Sequence, residues 1–277
     1  MDEVFDRLKH LNSKDRAQAH PLIHPRDAAS LIVIDRRFTP YKILMGLRHP
    51  KSSFMPSVYV YPGGALDKSD IKLAQAQLKT FTPQQLKSSV ISGRDPLGFK
   101  GYPSGEQFTY LSDKSLQRAA GIPENLDLPD RDGVNKSPTL VSQRELGAGL
   151  IYCALRELNE ETGLDLTVNS TPADFLFLSR AITPPGLKQR FDTRFFVYDY
   201  TGPPEWTEMG DNELTQTQWV SYNEALELKT HVMTRVILED LNDHLVTSGF
   251  VQPSSVAIYQ YLGQKFQRDW IEMESPS

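Results

Sequence analysis

The sequence predicts an α/β (α+β) fold: a mixed β-sheet sandwiched between helices and carrying a largely helical insertion. Three observations predict it. Short runs rich in β-branched and aromatic residues lie on both sides of one long amphipathic segment, residues 142–162. A stretch over 71–141, mixing helix-like pieces with turn-rich ones, interrupts that order. From about residue 222 the chain reads as helices.

Taken in order, residues 1–27 form a lead-in that ends in the proline-punctuated HPLIHPRD. His20 and His24 stand four apart, the spacing of two ligands on one helical face. Pro21 and Pro25 oppose such a helix, so both histidines read as exposed residues of a linker. One domain is expected over 28–277. It opens with the strand-like ASLIVID, YKILMGLR and SVYVYP, after which Gly63 and Gly64 open a tight loop. In the insertion, IKLAQAQL, TPQQLKSSV and DKSLQRAAG are helix-like. Ser142 and Glu145 match a capping box at the head of the long helix, and Gly163 is placed as the residue just past its end. FLFLSRAIT, RFFVYDY and TQTQWVSY are strand-like; EALELK, HVMTRVILEDLNDHL and SSVAIYQYLG read as helices.

Of the 277 residues, 39% are hydrophobic and 23% charged, enough for a substantial core. A net charge of -5 and the lack of a basic tract argue against a nucleic-acid partner. No apolar run reaches the roughly 18–20 residues that span a bilayer, so no membrane association is expected. The opening MDEVFDRLKHLNSKD is too charged for a signal peptide, and a single cysteine suits a reducing compartment. The cytoplasm is the expected location.

The chemistry concentrates on the long helix. At about 100° per residue, Ile151, Leu155 and Leu158 share one stripe, while Glu157, Glu160 and Glu161 share a neighbouring arc. Three carboxylates at such spacing repel one another, and Arg156 alone cannot neutralise them. A divalent cation can, because hard oxygen ligands suit Mg2+ and Mn2+. On charge alone, a solvated acidic face is the competing reading. Cys153 lies on the same side, where nearby carboxylates would raise its pKa, so it reads as a packed thiol and not a nucleophile.

The string Arg156-Glu157-Leu158-Asn159-Glu160-Glu161-Thr162-Gly163-Leu164 resembles the signature of the Nudix hydrolases at every specified position. The first half of that signature is not contiguous: the expected upstream positions hold Ser142 and Ala148. Gly63 and Gly64 follow a strand instead, and Asp70 stands six residues after Gly64, where the family usually has glutamate. The motif looks split by the insertion. That arrangement, with RHPKSSFMPSVYVYPGGALD and ITPPGLKQRFDTRFF, resembles the branch of coenzyme A and acyl-coenzyme A diphosphatases.

The resemblance implies a Nudix fold and a Mg2+- or Mn2+-dependent hydrolysis of a small-molecule nucleoside diphosphate derivative. Glu157, Glu160 and Glu161 would hold the metal, assisted by a backbone carbonyl at Gly63 or Gly64. Arg156 would orient Glu157, which is also a candidate base; Glu213 is the reserve. Arg48 and Lys51 in one loop, Arg190 and Arg194 around FDT, and Gly64 are the candidate substrate contacts, since arginine recognises phosphate through paired N–H donors. Coenzyme A or its thioesters are the leading substrates, ADP-ribose or a dinucleotide the second, and a non-catalytic ligand-binding module the third reading. The resemblance is also compatible with a homodimer and with a peroxisomal location, although the terminal MESPS is not of the SKL type.

Overall fold

The computed structural model describes residues 25–52, 54–80, 143–167, 170–184, 187, 189–203, 213–262 and 265–273. Strand β1 (Arg26–Asp35) carries Leu31, Ile32, Val33 and Ile34, all fully buried. A continuous apolar run of this kind suits a strand covered on both faces. The other strands are β2 (Lys42–Arg48), β3 (Tyr59–Val60), β4 (Gly63–Ala65), β5 (Phe175–Ile182), β6 (Phe191–Asp199), β7 (Leu214–Ser221), β8 (Ser255–Leu262) and β9 (Lys265–Glu272). They form a nine-stranded sheet in the order β3-β2-β1-β6-β5-β8-β9, with β4 also paired to β1 and β7 to β2. β1 runs parallel to β6 and β5 parallel to β8, while the remaining pairs are antiparallel, so the sheet is mixed as expected.

Each face of the sheet is covered by helix. Helix α1 (Lys68–Gln77) leads, after residues outside the described set, to α2 (Gln143–Thr162). Ile151, Leu155 and Leu158 of α2 bury against Leu31, Val33 and Phe196, as the helical period requires. The short α3 (Tyr222–Glu227) and the longer α4 (Val232–Ser248) follow β7. Ile237 and Leu241 of α4 pack on the opposite sheet face, against Ile32, Ile34 and Val197. Gly163 ends α2 with φ 77°, its N–H donating to the Asn159 carbonyl at 2.7 Å, a helix stop that glycine adopts without strain.

Several expectations need correction. SSVAIYQYLG is strand β8, not helix: Val256 faces one core and Ala257 and Tyr259 the other, a period of two that β-branched and aromatic residues favour. Gly63 and Gly64 are not a free tight loop; they pair with β1 as β4. The third strand is only two residues long. The lead-in is shorter than 27 residues, because β1 already pairs with β6 from Arg26. Residues 71–77 belong to α1, which packs on α2, so the inserted stretch begins later than 71. His20, His24 and Ser142, with most of the predicted insertion, lie outside the described residues. Among the described residues no helix is long and apolar enough to cross a membrane.

Candidate active site

Helix α2 spaces its three glutamates, and the packing then treats each differently. The Glu161 side chain is 1% exposed, Glu157 14% and Glu160 49%, grading from core to solvent along the arc. β4 lies directly against them. The Gly63 N–H donates to Glu161 Oε2 at 2.9 Å. A Cβ on Gly64 would stand 2.3 Å from the Glu157 carboxyl, so a larger residue there would displace that carboxylate from its place beside β4.

Arg156 joins the two halves of the split motif. Its Nε and Nη2 donate to Asp70 at 2.9 and 3.0 Å, a two-pronged contact with a planar carboxylate. Its Nη1 donates to Glu157 Oε1 at 2.8 Å and Glu160 Oε2 at 2.9 Å. Asp70 is itself fixed at the start of α1, where its Oδ2 accepts the Asp67 N–H and Asp67 caps the helix in return. The shorter aspartate therefore still anchors the arginine, because the α1 cap delivers its carboxylate.

Burial pushes the Glu157 carboxyl up, with Arg156 offsetting only part of that. Burial pushes Glu161 much further up, against the Gly63 N–H. Glu161 Oε1 is buried without a hydrogen-bond partner, and the nearest cation, Arg48 Nη1, is 4.0 Å away. A buried carboxylate oxygen left in this state is costly unless a cation completes it. The donor set of hard carboxylate oxygens fits a divalent ion of the Mg2+ or Mn2+ type. Among the described residues no three such side chains converge as a ligand group, and Arg156 pairs with both Glu157 and Glu160. Cys153 is buried and its Sγ donates to the Gly64 carbonyl at 3.5 Å. Burial, then Asp70 and Glu157, push its thiol up, as a packed thiol requires.

A cavity of about 720 Å³ opens beside the glutamates. Ala28, Ser30, Thr193 and Phe195 present the sheet to it, Glu157 and Gly64 form its acidic side, and the first turn of α4 closes the back. The candidate substrate contacts separate here. Arg48 lines the cavity, but its Nη2 donates to Glu213 Oε1 at 2.6 Å, and Glu213 lines the cavity beside it. Lys51 is exposed and, unlike Arg48, does not line the cavity. Arg194 is buried away from the cavity, its Nη1 on Asp27 Oδ1 at 2.6 Å and 3.4 Å from Asp192 Oδ1. The alternation that puts Thr193 and Phe195 in the cavity sends Arg194 to the other face. Arg190 donates its Nε to the Thr183 carbonyl at 3.0 Å, behind the lining. Sequence reasoning missed Arg26, which does line the cavity; starting β1 two residues earlier would have placed it on the face of Ala28 and Ser30.

Residues 145–241 match the family model of the NUDIX domain. An acyl-coenzyme A diphosphatase, NUDT19, of Gallus gallus is 25% identical over 252 residues, covering 74% of this chain and 63% of that protein. The chain thus spans less than two thirds of that relative's length. A NUDIX hydrolase from Alicyclobacillus acidocaldarius has a TM-score of 0.48 at 20% identity, covering 83% of this chain and 99% of its own. The NUDIX domain of Shewanella oneidensis NrtR, solved with ADP ribose, has a TM-score of 0.42 at 9% identity, with 87% and 98% covered. Residues 145–241 thus carry a match to the Nudix domain, and the chain resembles the Nudix hydrolases. The Gallus gallus relative is an acyl-coenzyme A diphosphatase, so the resemblance extends to that branch.

Proposed function

We propose that this protein hydrolyses the diphosphate linkage of a nucleoside diphosphate derivative with the help of Mg2+ or Mn2+. The substrate is coenzyme A or an acyl-coenzyme A, and the products are 3′,5′-ADP and the corresponding phosphopantetheine. The observation that carries this reading is Glu161: a buried carboxylate with one oxygen on the Gly63 N–H and the other without a hydrogen bond, beside Glu157 and the cavity.

Glu157, Glu160 and Glu161 would hold the ion, with a carbonyl of β4 nearby. When bound, the ion supplies positive charge that offsets the charge of the diphosphate and eases attack by water. Arg156, fixed by Asp70, keeps Glu157 oriented. Glu157, raised by burial, is a candidate proton acceptor for the attacking water. Glu213 at the cavity wall is the alternative acceptor, held by Arg48. Water adds to one phosphorus, the bridging P–O bond breaks, and each half leaves with its own phosphate.

The same chemistry on ADP-ribose or a dinucleotide is the second reading. A ligand-binding module without turnover is the third, and retention of all three glutamates speaks against it. The test is Mg2+-dependent hydrolysis of a panel of diphosphates, with products separated by chromatography. Release of 3′,5′-ADP from coenzyme A is expected. Turnover confined to ADP-ribose or dinucleotides would shift the substrate, and absence of turnover on the whole panel would leave the binding module.

A further inference from the structure

We infer that Arg26 reads a phosphate monoester on the nucleoside end of the substrate, remote from the bond that is cut. The inference rests on the function proposed above and adds a specificity-determining residue to it.

Of the cations considered for phosphate, most are already committed or misplaced. Arg48 pairs with Glu213, Arg194 is buried among Asp27 and Asp192, and Lys51 lies off the cavity. Burial disfavours a charge on His231, at the back wall. Arg26 lines the cavity and is exposed, and no carboxylate among the described residues takes its guanidinium. An uncommitted guanidinium at a cavity edge retains all its N–H donors for an incoming phosphate.

Its place along β1 suits the distance. Arg26, Ala28 and Ser30 alternate onto the cavity side, and Ser30 pairs with Gly63, the residue whose N–H holds Glu161. Four residues of strand at about 3.3 Å each put Arg26 roughly 13 Å from that row. An arginine side chain leaning along the strand toward that row would leave a span that one ribose can bridge between a 5′-diphosphate and a phosphate ester on the same sugar. The neighbours fit a base: Phe191 is the strand partner of Arg26, and its ring meets Phe54 edge-on at 5.3 Å, both lining the cavity. Across the cavity Tyr61, Phe195, Met233 and Tyr259 offer an apolar wall for the other arm of the substrate.

The test compares coenzyme A with dephospho-coenzyme A at saturating Mg2+, using the full chain and its Arg26→Ala, Arg26→Lys and Lys51→Ala variants. Arg26→Ala is expected to raise KM for coenzyme A about tenfold, the effect of one partly exposed charge-assisted contact, with kcat unchanged. KM for dephospho-coenzyme A should hardly move, Arg26→Lys should recover part of the loss, and Lys51→Ala should match wild type. Calorimetric binding of 3′,5′-ADP and 5′-AMP provides a second readout: Arg26→Ala should weaken only the first. Equal losses on both substrates, or no loss on coenzyme A, overturn the inference alone. Hydrolysis of neither substrate by the wild-type chain overturns the parent reading and this inference together.

Discussion

Asp192 and Glu161 are both buried carboxylates, yet they differ in what surrounds them. Burial works to raise Asp192, but Arg180, with Nε at 2.7 Å, and Arg194 outweigh it and hold the carboxyl below its ordinary value. Burial likewise raises Glu161, and one backbone N–H with an arginine 4.0 Å away cannot reverse it. Around Asp192 the charges neutralise one another. Around Glu161 the carboxylates Asp70, Glu157, Glu160, Glu161 and Glu213 cluster about Arg48 and Arg156, and Glu161 Oε1 has no hydrogen-bond partner among the described residues. A buried network that balances itself is structural, whereas one left with excess negative charge is completed from outside.

The sharpest way to break this comparison is to remove charge from the unbalanced side. Glu160→Gln and Glu161→Gln should each lower kcat by about 100- to 1,000-fold or more, since a metal contributes several kcal/mol of charge stabilisation. Circular dichroism should show the fold retained, because glutamine at 161 can still accept the Gly63 N–H. Wild-type activity in either variant at saturating Mg2+ would remove that residue from the ligand set.

On the balanced side, Asp192→Asn leaves Arg180 and Arg194 without their shared counter-charge. Unfolding free energy in urea should fall by roughly 3–5 kcal/mol. A loss below about 1 kcal/mol would show that the network is not closed as described.

Adding the metal should distinguish the two regions directly. At a hundred times its Kd, Mg2+ should raise stability by about 2.7 kcal/mol. The gain should vanish in Glu161→Gln and persist in Asp192→Asn. Equal gains in both variants would place the ion elsewhere.

The smallest effect, and the one with opposite signs, is on pH dependence in metal-free buffer. Glu161 keeps its proton in the folded state over a range where the unfolded chain has lost it. Its contribution is therefore present below about pH 4.3 and lost as pH rises through the elevated folded value. Asp192 does the reverse: its contribution is present above about pH 3.9 and lost as pH falls through the depressed folded value. Glu161→Gln should flatten the first decline and Asp192→Asn the second, each by at most about 1.4 kcal/mol per pH unit. Denaturant titrations over pH 3–8 would show it; a shared sign for both variants would contradict the assignment.

The sequence by itself determined the local rules. The helical period put Ile151, Leu155 and Leu158 in the core and three glutamates on one arc, and the glycine after Thr162 marked the helix end. These follow from geometry repeated within a few residues, which the chain carries in its own order. The resemblance of residues 156–164 to the Nudix signature, with the strand before Gly63, was enough to suggest a motif in two pieces. Only the tertiary structure decided how the pieces meet. Asp70 reaches Arg156 across 86 positions of sequence, and the Glu157 carboxylate occupies the space a Cβ on Gly64 would take. It also decided which arginines remain free: strand alternation and the carboxylates brought by other elements committed Arg48 and Arg194 and left Arg26 at the cavity. The sign of a charge is written in the sequence, but its partners and its burial are set by residues far away along the chain, and those determine whether it is balanced or still available to a ligand.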